Sequence, residues 1–157
     1  MWSILAIVMC GSVGQVSTSE QNLTTFLSAL RMAETGGEDQ PENAVGDGGM
    51  SLGPYQISRA YLVDSGVNGD WRRCRDRKFS EAVMLAYWKR HCPEALRMRD
   101  YETLARVHNG GPNGNRKAST LSYWRIVQGI LRSEQMAARN IGAGARRRQT
   151  SLSSEGR

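Results

Sequence analysis

Cysteine is scarce in this chain, with three residues in 157, at Cys10, Cys74 and Cys92. That excludes a small fold stapled by many disulfides. No Cys-x-x-Cys pair and no mixed Cys/His ligand set occurs, so no metal or other cofactor is expected. No apolar run reaches the ~20 residues that span a bilayer, so stable membrane insertion is not expected. Strand-like alternation and internal repeats are missing too. Residues 1–19 carry no charged side chain at all. What is present suits one soluble domain with tails: 39% apolar residues and a mean hydropathy of −0.50. The net charge is +6. Residues 138–157 hold five arginines against Glu155, a net of +4, so the basic character belongs largely to the tail. Adjacent Arg146, Arg147 and Arg148 have no interleaved aromatics. Such a run reads as a solvated basic tail, and no nucleic-acid partner is expected.

The chain divides into three parts. Trp2 to Cys10 is apolar and resembles the central region of a secretory signal, without the usual basic residues before it. Residues 1–19 are therefore expected to be a signal peptide and the protein to be secreted. In an oxidising compartment Cys74 and Cys92 can pair, contributing roughly 3 kcal/mol on the chain-entropy account. Two free thiols are the alternative. Residues 20–137 form the domain and 138–157 a disordered tail.

Within the domain the pattern is helical. Leu23, Phe26, Leu27 and Leu30 make one apolar face, and Gly36-Gly37 stops that helix just after Glu34. Residues 38–53 are rich in Gly, Asp, Glu and Asn, and read as a long polar loop or a small irregular hairpin. A short helix is predicted over Ser58 to Asp64. Ser80 is the predicted N-cap of a helix running through Val83, Tyr87 and His91 to Pro93. Asp100 caps another, carrying Leu104, Ala105 and His108, which Asn109-Gly110-Gly111-Pro112 breaks. Leu121, Trp124, Val127 and Leu131 line a further helix. The fold class is mainly α, a helical domain with one large polar loop near its start.

Two acids stand out. Glu34 sits in the last turn of its helix, at the negative end of the macrodipole. Apolar neighbours such as Met32 or Tyr55 would desolvate it further. Both effects disfavour the charged form, which suits a carboxyl that must donate a proton. The bland alternative is a solvated glutamate at a helix end. Asp47 lies thirteen residues later between Gly46 and Gly48-Gly49, whose N–H groups can reach a carboxylate and hold it ionised. Two carboxyls in opposed environments can divide acid and nucleophile roles. Gly-Asp-Gly is equally ordinary turn chemistry.

Longer segments carry more. Leu30-Arg31-Met32-Ala33-Glu34-Thr35-Gly36-Gly37, Ser51-Leu52-Gly53-Pro54-Tyr55-Gln56-Ile57 and Ala105-Arg106-Val107-His108-Asn109-Gly110-Gly111-Pro112-Asn113-Gly114 occur in that order. Ser119-Thr120-Leu121-Ser122-Tyr123-Trp124 follows. Together they resemble the invertebrate-type lysozymes, the destabilase family, over roughly Leu23 to Leu131. The resemblance implies a lysozyme-like fold. It also implies hydrolysis of the β-1,4 bond between N-acetylmuramic acid and N-acetylglucosamine, with bacterial cell-wall peptidoglycan as partner. It places the catalytic acid at Glu34 and the nucleophile or stabiliser at Asp47, the latter across a one-residue gap. The family is rich in disulfides and this chain is not, so its scaffold must rest on core packing.

Tyr55, Gln56, Ile57, His108, Asn109 and Gly110 are the candidate sugar contacts, with core packing the alternative for Tyr55 and Ile57. His108 has its own alternative, a hydrogen bond inside the fold. Trp71, Trp88 and Trp124 are expected in the core. Two other activities fit the same residues: a lytic transglycosylase using Glu34 alone, and a non-catalytic cationic protein that binds cell walls.

Overall fold

The computed structural model describes the backbone of residues 18–154 and the side chains of residues 23–138 and 140. The apolar stretch expected to be a signal peptide, with Cys10, lies outside the described residues. Six α-helices are described: α1 (Thr18–Thr35), α2 (Arg59–Ser65), α3 (Arg77–His91), α4 (Pro93–Met98), α5 (Tyr101–Gly110) and α6 (Leu121–Ser154). Three two-residue strands, β1 (Val45–Gly46), β2 (Ser51–Leu52) and β3 (Ile57–Ser58), form one antiparallel sheet in the order β1-β2-β3. Gly46 pairs with Ser51, and Ser51 with Ser58. The polar loop is thus an irregular hairpin.

Local chemistry explains most of the boundaries. Gly36 and Gly37 both adopt positive φ, which ends α1 one residue past Glu34. Ser58 caps α2, its hydroxyl accepting from Tyr61 N at 3.1 Å. Asp100 caps α5, accepting from Thr103 N at 3.1 Å. The start of α3 differs from the sequence reading. Asp76, not Ser80, is its N-cap, with Oδ1 accepting from Phe79 N at 2.7 Å. Ser80 lies inside the helix, fully buried, and donates to the Cys74 carbonyl at 2.6 Å. Asp is at least as good a cap as Ser, and this arrangement gives the buried Ser80 hydroxyl a partner. Pro93 ends α3 and begins α4, at the one helical position where its missing N–H costs nothing. The backbone of α6 continues to Ser154, past the residue 138 start of the expected tail.

The core is the sum of these helical faces. Phe26 and Leu30 from α1, Val83, Met84 and Trp88 from α3, Leu104 and Val107 from α5, and Val127 from α6 are all buried. Each aliphatic or Phe side chain so buried contributes roughly 1.5–3 kcal/mol relative to an exposed one. Trp88 is buried completely, and its indole N–H donates to the Leu104 carbonyl at 3.0 Å, tying α3 to α5. Trp71 and Trp124 pack against the same cluster.

Cys74 and Cys92 are free thiols, which corrects the expectation of a disulfide between them. The reason is geometric. Cys74 is held at the first turn of α3 by Ser80, while Cys92 caps the other end of the same helix. Twelve residues of helix separate Ser80 from Cys92, about 18 Å of rise. A disulfide needs Cα atoms about 4.4–6.8 Å apart. The scaffold replaces the bridge with close packing of backbone. Gly53, at φ +73°, passes so near the Cys74 carbonyl that a Cβ there would stand 2.1 Å from the oxygen.

Candidate active site

A cleft of about 540 Å³ opens between the hairpin, α2 and the C-terminal end of α5. Glu34, Asp47 and Asp64 line it, and no Lys or Arg does among the described residues. Its size falls in the range that takes a small ligand or a few sugar rings.

Glu34 is brought there by the last turn of α1, which holds no basic residue to offset the helix dipole. Its side chain is 16% exposed. Two groups from distant parts of the chain address its Oε1. The Tyr123 hydroxyl, from the first turn of α6, donates at 2.6 Å, and His108 Nε2, from α5, lies at 3.4 Å. Burial first, then the Glu34 carboxyl beside it, pushes the Tyr123 phenol well above its ordinary range, so it stays a neutral donor. On the other side of His108, Nδ1 lies 3.2 Å from the Tyr61 hydroxyl. Burial likewise pushes Tyr61 well above the usual phenol range. Tyr61 therefore keeps its proton, and its contact with Nδ1 joins Tyr61, His108 and Glu34 in one line of polar contacts. The His108 side chain is 3% exposed, so the ring has little freedom to turn away. Tyr61 in turn stacks on Tyr87 at 3.8 Å between ring centroids.

Asp47 stands on the hairpin side of the cleft. It adopts φ +50°, followed by Gly48 at +65° and Gly49 at +96°. Aspartate tolerates this left-handed region better than most residues. Its Oδ2 accepts from Ser51 Oγ at 3.3 Å, where the sequence reading expects the N–H groups of the flanking glycines. At the far end Asp64 Oδ2 meets His91 Nε2 at 2.9 Å.

The residues expected at the site divide. Glu34, Asp47, Gln56, His108 and Asn109 line the cleft. Tyr55 and Ile57 are completely buried, as in their core-packing alternative. The Tyr55 hydroxyl donates to Glu81 at 2.7 Å, on α3. Gly110 lies behind the cleft wall, where a Cβ would stand 2.5 Å from Thr120 Cγ2. Its neighbours Gly111 and Pro112 form the wall instead. Sequence reasoning missed Tyr61, Asp64, Tyr87 and Tyr123. Tyr123 lies inside a recognised segment, yet nothing local marks it as the partner of a residue 89 positions earlier. Among the described residues no group of three or more His, Cys, Asp or Glu is placed to hold a metal ion.

A helical domain with a short hairpin and a cleft holding a half-buried Glu at a helix end has the architecture of a lysozyme. The lysozyme of Tapes japonica superposes with a TM-score of 0.56 and 35% identity, covering 66% of this chain and 86% of that one. In sequence, the invertebrate-type lysozyme of Ruditapes philippinarum is 39% identical over 85 residues, 53% of this chain and 62% of the relative. A lysozyme of Meretrix lusoria is 38% identical over 85 residues, covering 53% of this chain and 70% of the relative. The match thus spans less than two thirds of the first of these relatives. No protein-family model matches the chain. The chain belongs to the invertebrate-type lysozymes.

Proposed function

We propose that this protein is a secreted muramidase that hydrolyses the β-1,4 bond between N-acetylmuramic acid and N-acetylglucosamine in bacterial peptidoglycan. The observation that carries this reading is the setting of Glu34, half-buried in a cleft with both recorded partners on one oxygen. Oε2 is then the oxygen that carries the proton to the leaving group. As it leaves, Tyr123 and His108 stabilise the carboxylate that remains, an interaction stronger after transfer than before. Asp47, which lines the same cleft, attacks the anomeric carbon or stabilises the oxocarbenium ion. Asn109 supplies an amide group to the same cleft.

The test is clearing of a bacterial cell-wall suspension, with the products identified. Glu34→Gln keeps the shape but has no proton to give, and is expected to lower the rate at least a hundredfold. Reducing muramic ends support hydrolysis. Products with 1,6-anhydro ends, together with an active Asp47→Asn variant, would assign the chain to transglycosylase chemistry instead. If Glu34→Gln clears walls as fast as wild type, the effect is not catalytic and the proposal fails.

A further inference from the structure

Gln56 lines the cleft, but its side chain is already committed within the fold. Its Nε2 donates to the Gly53 carbonyl at 2.8 Å, which fixes the amide and turns Oε1 toward Ser51. Ser51 Oγ lies 2.9 Å from that Oε1 and 3.3 Å from Asp47 Oδ2. Ser51 is buried, 2% exposed, so water does not compete freely for its hydroxyl. A hydroxyl has one proton and here faces two acceptors. Whichever acceptor takes it, the other is left with less.

The surroundings are shaped around this contact. Gly46, paired with Ser51 across the sheet, has an ordinary φ of −114° that any residue adopts. Its lack of a side chain serves another end: a Cβ there would stand 2.2 Å from Gln56 Oε1 and 2.8 Å from Ser51 Oγ. Both ends of the chain of contacts are non-glycine residues at positive φ, Asp47 at +50° and Gln56 at +48°. Such conformations persist where the surrounding structure over-determines them.

We infer that Gln56 is a positioning residue for Asp47, acting through Ser51, and that it governs how much of the Ser51 proton the carboxylate receives. This rests on the proposed role of Asp47 in the reaction. While Gln56 accepts from Ser51, Asp47 keeps its lone pairs free for the sugar. Withdrawing the amide gives the proton to Asp47, favouring its charged form but blunting it as a nucleophile. Removing the hydroxyl does the opposite to its charge balance. Glu34, Asp64, Tyr61, Tyr87 and His108 face the same cleft from α1, α2, α3 and α5. Neither Ser51 nor Gln56 has a recorded bond to any of them.

The experiment is the pH profile of kcat/KM on soluble peptidoglycan fragments for wild type, Ser51→Ala, Gln56→Asn and Gly46→Ala. NMR titration of the Asp47 side-chain carboxyl carbon accompanies each. Asn tolerates the positive φ while falling short of Ser51. Gly46→Ala leaves Gln56 in the chain and crowds its Oε1, at 2.2 Å, more than the Ser51 hydroxyl, at 2.8 Å, so it carries the test if Gln56→Asn fails to fold. Ser51→Ala is expected to move the acid limb and the carbon titration upward by about half a pH unit, and the other two to move both downward by a similar amount. Shifts in one direction for all variants, or none in variants with wild-type melting curves, would overturn the inference. Opposite carbon shifts in a protein without turnover would uphold the coupling and refute the proposed function.

Discussion

At Glu34 the shorter of two contacts decides the first prediction. Tyr123 donates at 2.6 Å, and a hydrogen bond to a charged partner contributes about 1.5–3 kcal/mol. Tyr123→Phe is therefore expected to lower kcat about tenfold or more with little change in KM, since the phenol touches the acid and not the sugar. Steady-state kinetics alongside a wild-type circular dichroism spectrum would check this. The sequence points to Glu34 and hides its partners. Glu34 is legible because Gly36-Gly37 marks the helix end and the Glu-Thr-Gly context is familiar. Tyr123 and His108 come from α6 and α5, and no local spacing announces that three such residues will converge. Tyr55 and Ile57 show the reverse error. A segment recognised as functional contains residues whose work is in the core: Gln56, at φ +48° just before β3, turns toward the cleft, while Tyr55 and Ile57 on either side of it are buried.

Among the elements, α3 is the most informative. Asp76 caps it, and Asp76→Ala is expected to cost about 1 kcal/mol, read as a lower urea midpoint without loss of activity at saturating substrate. The helix itself was predictable from Val83, Tyr87 and His91. Its length, together with the Ser80 hydroxyl that holds Cys74 at the first turn, places Cys74 and Cys92 at opposite ends, and only the first of these is visible in the sequence. Burial pushes both thiols up to about 11, Cys92 with a further push from Asp100. They are protonated at neutral pH and poor nucleophiles. Reductant is accordingly expected to leave the melting temperature of the purified domain unchanged, measured by calorimetry with and without dithiothreitol. The hairpin was harder to read. Its strands are two residues each, too short for alternation to register, and its register depends on Gly46, Gly53 and the Gln56 amide.

For the whole molecule, the aromatic residues set the alkaline limit. Burial pushes Tyr55, Tyr61 and Tyr123 upward, and Tyr87 up to about 12. In the unfolded chain each titrates near 10. Above that pH the unfolded state releases protons that the folded state retains, so stability is full below about pH 10 and falls as pH rises through the folded values. Urea midpoints measured from pH 8 to 11.5 should stay level and then drop steeply, with Tyr61→Phe flattening the drop. The same phenols organise the cleft, so clearing activity and fold are expected to fail together at high pH. The span of the Glu34 contact has a further consequence in time. Its phenol partner is made 89 residues after it, at the start of the last helix. During synthesis the acid emerges early and stays unfinished until most of the chain has followed. A chain cut short before Tyr123 thus lacks the Glu34 contact, and on the proposed function its cleft is completed only when α6 closes on α1.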